Sequence, residues 1–153
     1  MADGKAHEDG SQYRITSGRS ALLLHVNCIH AYLTTSYWAE GIPRAIVERS
    51  MRNSLCFGVL RGKSLVAFCR VITDKATYAY LADVFVLAEH RGKGLSKRMM
   101  EAVKAHKDLQ GIRRFMLVTR DAHGLYAKYG FNPLAQPERH MELMNRDVYK
   151  KHR

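Results

Sequence analysis

Cysteine, proline and tryptophan are scarce in this 153-residue sequence, which holds three, three and one of them. The cysteines, Cys28, Cys56 and Cys69, cannot all pair with one another, and none stands in a Cys-x-x-Cys unit. Each has apolar neighbours, so they read as small core residues of a reducing compartment, with the cytoplasm the simplest expectation. The eight histidines are scattered, without a His-Glu-x-x-His or Cys/His cluster, and give no support to a metal site. Long apolar runs are missing as well. Val84-Phe85-Val86-Leu87-Ala88 is typical of the longest, far short of the roughly 20 residues a spanning helix needs. The opening ten residues are polar and lack an apolar signal core, so export by a cleaved peptide is not expected. Acid is the last shortage: 14 Asp and Glu face 25 Lys and Arg, a formal net charge of +11. That balance favours a polyanionic partner, whether nucleic acid, an acidic surface or a phosphorylated cofactor.

What is present is ordinary for one folded domain: 46% apolar and 25% charged residues. We expect a tail over residues 1–12 and a single domain over residues 13–153. Tyr13-Arg14-Ile15-Thr16 reads as a strand closed by Ser17-Gly18. Asn27 suits the N-cap of a helix carrying Ile29, Tyr32 and Leu33, and Pro43 the first turn of another carrying Ile46, Val47 and Met51. Between them lies a loop with Tyr37, Trp38, Glu40 and Gly41. Leu55 to Leu60, the turn Arg61-Gly62-Lys63, and Leu65 to Val71 read as a hairpin. Asp74-Lys75 then turns the chain into a third strand from Thr77 to Leu87. A helix from the Arg91-Gly92-Lys93-Gly94 segment to about Leu109 carries Leu95, Met99, Ala102, Val103 and His106 at helical spacing. Phe115 to Val118 reads as a strand, Ala122 to Tyr129 as a short helix stopped by Gly130, and Met141 to Met144 as a last strand. The order describes a mixed α/β domain of the α+β type.

One turn carries chemistry. A strand feeding Arg-Gly-Lys-Gly and then a helix lets main-chain N–H groups converge on an anion. The helix start adds about half a positive elementary charge and four N–H groups without intrahelical partners. Arg91 and Lys93 would add full charges beside them. Glycine turns of this length also occur for backbone geometry alone. Two phosphate motifs fail on spacing: a P-loop would need glycine at Leu87 and a hydroxyl at Gly94, and a dinucleotide fingerprint would need glycine at Lys97.

Arg91-Gly92-Lys93-Gly94-Leu95-Ser96, after the apolar strand Val84-Phe85-Val86, resembles the acetyl-CoA motif of the GNAT N-acetyltransferase superfamily, Gln/Arg-x-x-Gly-x-Gly/Ala. A second element of that family, an apolar residue, Tyr, three residues and Gly-Phe, is matched by Leu125-Tyr126-Ala127-Lys128-Tyr129-Gly130-Phe131. Two departures stand out: Ser96 replaces the final Gly/Ala, and Thr119 stands where many members have asparagine.

The resemblance implies a central mixed, mostly antiparallel sheet flanked by helices and splayed between its two central strands. It implies acetyl-CoA as co-substrate, with Val84, Phe85 and Val86 along the pantetheine arm. Arg91, Gly92, Lys93, Gly94, Leu95 and Ser96 would sit around the diphosphate. The implied reaction is direct acetyl transfer to a primary amine, a small molecule favoured over a protein lysine. Tyr126 would protonate the departing thiolate, since a phenol of ordinary pKa near 10 is protonated at neutral pH. Asp83, an acid inside an apolar strand, is the candidate base, with a structural carboxylate tied to a neighbouring arginine or backbone N–H as the equal alternative. Tyr37, Trp38 and Glu40 are candidates for the acceptor side. A homodimer is compatible with this picture. Two other readings of the residues stay open: a nucleic-acid binder using its basic surface, and an acyl-CoA-binding sensor without catalysis.

Overall fold

Apolar and β-branched residues alternate through the middle of the chain, and in the computed structural model, which describes residues 12–150, they form the centre of a five-stranded sheet. Strands β2 (Leu55–Arg61), β3 (Ser64–Thr73) and β4 (Tyr78–Val86) make an antiparallel meander. The β2–β3 hairpin closes through Gly62 at φ +61°, a conformation a side chain disfavours. The next turn is held by Asp74, whose carboxylate accepts from the N–H groups of Ala76, Thr77 and Tyr78 and from the Thr77 hydroxyl. Strand β1 (Tyr13–Thr16) flanks β2 antiparallel, and β5 (Arg114–Leu117) lies parallel to β4 at the other edge.

Period-two alternation sends the sheet's side chains into two cores. Cys56, Leu60, Leu65, Phe68 and Phe85 pack beneath helices α1 (Arg19–Leu23), α2 (Val26–Leu33) and α3 (Arg44–Arg52). On the other face Phe57, Val59, Cys69, Val71 and Leu81 meet Leu95, Met99, Met100 and Val103 of α4 (Leu95–Ala105), with Tyr126 from α5 (His123–Ala127) beside them.

One irregularity shapes everything downstream. Between the pairs Arg70–Ala82 and Phe68–Phe85, β4 holds one residue more than β3, and Asp83 takes φ +57° there. Above this bulge Ala79 and Leu81 face the α4 side; below it Val84 and Val86 do, and Phe85 faces the other core. The extra residue has inverted the strand's facing.

Several expectations need correction. Helix α1 follows Ser17-Gly18 directly and was not anticipated. Asn27 is not an N-cap: His25 holds that position, and the Asn27 Oδ1 instead accepts from Arg44 Nε at 2.6 Å. Helix α4 stops at Ala105, because His106 turns extended and its Nδ1 accepts the Asp108 N–H. A one-turn 3₁₀ segment, Ala88–His90, stands between β4 and the glycine turn, which β4 therefore does not enter directly. Residues 141–144 are not a strand: they have no ladder partner among the described residues, and Met141 and Leu143 point into solvent. The expected tail falls outside the described residues except for Gln12. No helix among those residues is long and apolar enough to cross a membrane.

Candidate active site

β5 is short, and that opens the sheet. Its ladder with β4 runs only from Tyr78–Arg114 to Leu81–Leu117, so beyond Leu81 the two strands part. The Leu87 N–H donates to the Val66 carbonyl on β3 at 2.8 Å. Alternation then turns the N–H and C=O groups of Val84 and Val86 away from β3, toward the gap. A groove of about 400 Å³ occupies this gap. Val84, Phe85, Val86, Arg91, Gly92, Gly94, Leu95 and Ser96 line it, together with Tyr126. The Phe85 and Leu95 side chains are buried in the two cores, Phe85 stacked on Tyr32 at 4.1 Å.

The glycine turn has the geometry an anion cradle requires. Gly92 and Gly94 lie at φ +76° and +75°, and a Cβ added to either would meet no atom within 4 Å. Glycine is there for conformation and open approach, not for close packing. Gly94 is the N-cap of α4, and no side chain caps that helix start. The first-turn N–H groups are thus presented to the groove along with the helix dipole.

The basic side chains of this region are spread over separate surfaces. Arg91 and Lys97 line the groove, whereas Lys93 does not. Lys104 lines a separate cavity with Arg113 and Arg114. Arg91 reaches back across the groove, its Nε donating to the Val86 carbonyl at 3.0 Å and its Nη2 to the Tyr32 hydroxyl at 3.1 Å. Tyr32 is a groove residue that sequence reasoning missed, read from its spacing only as part of a helix's apolar side.

Tyr126 lies where the groove meets a second cavity on the β5 side, lined by Phe115 to Thr119, His123 and residues 131–134. It is 7% exposed, with its ring edge-on to Phe131. Its hydroxyl makes no hydrogen bond among the described residues. Burial, with Cys69 and Tyr37 nearby, pushes that hydroxyl's pKa up to about 12. Thr119, at the position where an asparagine was expected, uses its Oγ1 to accept the Ala122 N–H and so fixes the entry to α5.

Asp83 is drawn into a polar knot by the bulge. Its Oδ2 accepts from Arg70 Nε at 2.6 Å and its Oδ1 from Trp38 Nε1 at 2.9 Å. Arg70 also donates to the Ser54 hydroxyl at 3.0 Å. Both members of the ion pair are largely buried. Trp38 carries Tyr37 edge-on at 5.0 Å, and the Arg120 guanidinium covers the Tyr37 ring at 4.0 Å. The α2–α3 loop is thereby tied to β4 by Trp38 and to the segment after β5 by Tyr37. Glu40, in the same loop, is exposed and does not line the groove. Arg70 and Arg120 were missed from sequence; a lone arginine in the otherwise apolar β3 was the available signal for the first.

Comparison with known proteins decides the family. Residues 52–133 match the family model for the acetyltransferase (GNAT) domain, a span holding both motifs, the bulge and α4. The chain belongs to the GNAT acetyltransferase family. A Gibberella zeae protein described as an acetyltransferase is 33% identical to this GNAT chain over 129 residues, covering 69% of it and 72% of the relative. The crystal structure of a GNAT-family protein from Xanthomonas campestris is 51% identical, covers 90% of this chain and 96% of its own, and superposes with a TM-score of 0.85. A Staphylococcus aureus structure at 20% identity, covering 87% of this chain and 98% of its own, has a TM-score of 0.68 and speaks for the fold alone. The GNAT fold of the chain is thus a mixed sheet flanked by helices, and its activity is acetyl transfer, for which the family uses acetyl-CoA.

Proposed function

We infer that this acetyltransferase moves acetyl from acetyl-CoA directly to a primary amine, a small molecule in preference to a protein lysine. The observation that carries this reading is Tyr126. It is a buried phenol that keeps its proton, placed where the open β4 backbone and the uncapped start of α4 share one groove. The cradle formed by Gly92 and Gly94 leaves room that any Cβ would occupy, and it offers donors suited to a diphosphate. Acetyl-CoA, when bound, supplies an acyl carbon whose bond to sulfur breaks as the new bond to nitrogen forms.

The chain's own residues divide the remaining work. Val84 and Val86 offer main-chain donors and acceptors to an extended amide-bearing arm, as an added strand would be met. The N–H groups from Gly92 to Ser96, with Arg91 and Lys97, hold negative charge. Tyr126 gives its proton to the leaving thiolate. Tyr37 and Trp38 wall the acceptor side, with Glu40 further out. Asp83 holds the Trp38 loop against β4. As base it would take the amine proton on a lone pair that Arg70 and Trp38 leave unused; otherwise water takes it. The pH–rate profile of Asp83→Asn distinguishes these routes: a changed profile assigns the proton to Asp83, and an unchanged profile assigns it to water.

The decisive experiment follows thiol release from acetyl-CoA across a panel of small amines and lysine peptides. Release with small amines supports the reading. Acetyl-CoA binding with no release across the panel would leave a sensor, and salt-sensitive duplex binding without acetyl-CoA binding would leave a nucleic-acid protein.

A further inference from the structure

We propose that the acceptor is an amine carrying an acid group, a carboxylate or a phosphate, and that the Arg120 guanidinium receives that group beside Tyr37. The inference rests on the amine-acetylation reading and narrows the acceptor within it. Three observations carry it. First, Arg120 is held in place while its donors stay open. Its guanidinium lies over the Tyr37 ring at 4.0 Å, and that ring is edge-on to Trp38, which donates to Asp83 at 2.9 Å. The cation–π contact gives none of its N–H groups an oxygen acceptor. No hydrogen bond or ion pair engages Arg120 among the described residues, and neither of the exposed acids near it in the structure's loops, Glu40 and Asp121, pairs with it. A guanidinium fork already localised on a ring suits the paired oxygens of a carboxylate or phosphate.

Second, Arg120 is close to the chemistry. It directly follows Thr119, whose Oγ1 fixes the entry to α5, the helix of Tyr126. Tyr37 neighbours both residues: Arg120 covers its ring, and it is near enough to Tyr126 to help raise that hydroxyl's pKa. Tyr37 and Trp38 are 57% and 41% exposed although contacts hold both, so they form a fixed aromatic wall open to a visitor. An acceptor whose nitrogen reaches Tyr126, where transfer takes place, brings a group a short spacer away against Tyr37 and within the range of Arg120.

Third, the charge on this side of the site is in surplus. Asp83 is already matched by Arg70 at 2.6 Å, so the guanidinium of Arg120 is left without a carboxylate of its own. That surplus attracts an anion and repels a second cation, which makes diamines and lysine-rich peptides poor fits. It also acts on the reacting nitrogen. A nearby positive charge disfavours the ammonium form, and the neutral amine is the form that attacks the acetyl carbon.

The test follows thiol release from acetyl-CoA at about 0.15 M salt, where distant charges are screened. The acceptors are β-alanine and γ-aminobutyrate, their carboxamides, the diamines of the same length, and O-phosphoethanolamine as the phosphate arm. For the preferred acid, kcat/KM should exceed that of the carboxamides and diamines by about tenfold or more, and the carboxylate and phosphate arms tell which acid it is. Arg120→Gln should bring the ratio close to one. Arg120→Glu should turn it toward the diamines, an inversion that loss of the Tyr37 contact alone would not produce. Lys63→Gln, on the exposed β2–β3 turn, removes the same charge and should keep the wild-type ratio. Carboxamides or diamines acetylated as well as the acids, a ratio that Arg120→Glu does not move, or a Lys63→Gln shift equal to that of Arg120→Gln would overturn the inference and leave amine acetylation standing. Acetyl-CoA binding with no amine acetylated would remove both.

Discussion

Replacing Tyr126 by phenylalanine removes one oxygen and leaves the ring's contact with Phe131 in place. That oxygen makes no hydrogen bond among the described residues, so no internal partner is orphaned. The expected change in stability is within about 0.5 kcal/mol, the range of substitutions that break no structural feature. Catalysis should respond differently. With the hydroxyl pKa pushed up to about 12, only about one molecule in 10⁴ is ionised at pH 8, so nearly every enzyme molecule carries the proton to be donated. A positioned general acid contributes roughly 10²- to 10⁴-fold, equivalent to about 3–5 kcal/mol of barrier. Thiol release should therefore slow by that factor, while calorimetry with acetyl-CoA shows affinity within about twofold of wild type, because the groove walls and glycine cradle are untouched. A variant that turns over at the wild-type rate, or that loses rate only through weakened acetyl-CoA binding, would remove Tyr126 as the acid.

Gly94→Val places a β-branched residue at φ +75° and a side chain in the cradle. Acetyl-CoA affinity measured by calorimetry should fall at least about tenfold, with a backbone cost of roughly 1–2 kcal/mol visible in urea unfolding. Asp83→Asn leaves the Arg70 guanidinium without its carboxylate and should cost roughly 1.5–3 kcal/mol in the same assay, the range for a hydrogen bond to a charged group. Alkaline conditions should weaken the fold. Burial raises the pKa of Cys56 to about 11 and of Tyr126 to about 12, and raises Cys69 as well. All three are largely neutral in both folded and unfolded chains below about pH 8. Above that the unfolded chain ionises first, so stability present below pH 8 is lost as pH rises through 11 and 12, by roughly 3 kcal/mol for Cys56 alone. A thermal midpoint that stays flat from pH 8 to pH 11 would contradict the burial of these groups.

Local chemistry made much of this fold legible in sequence. The meander followed from period-two alternation and two turns, of which Gly62 suits the positive φ it adopts, while Lys75 takes that conformation without being such a residue. The glycine turn and the Tyr126 segment were readable because each motif is contiguous. What escaped depends on distance along the chain. Arg70 and Trp38 meet Asp83 from 13 and 45 residues away, and the bulge that brings them together has no motif of its own. Helix α1 is five residues long, too short for a periodicity to show. Residues 141–144 carry strand character in their side chains, yet a strand also needs a neighbour, and none pairs with them among the described residues.

The extra residue in β4 acts as a phase setting for the whole catalytic half of the molecule. Removing Asp83 would rotate Phe85 out of one core and drive Val84 and Val86 into it, with their amides turned onto β3 and the Phe85 amide left at the gap. No exchange of one side chain could do as much, since the spacing, more than the identity, of the residue at 83 decides which peptide groups a visiting molecule meets.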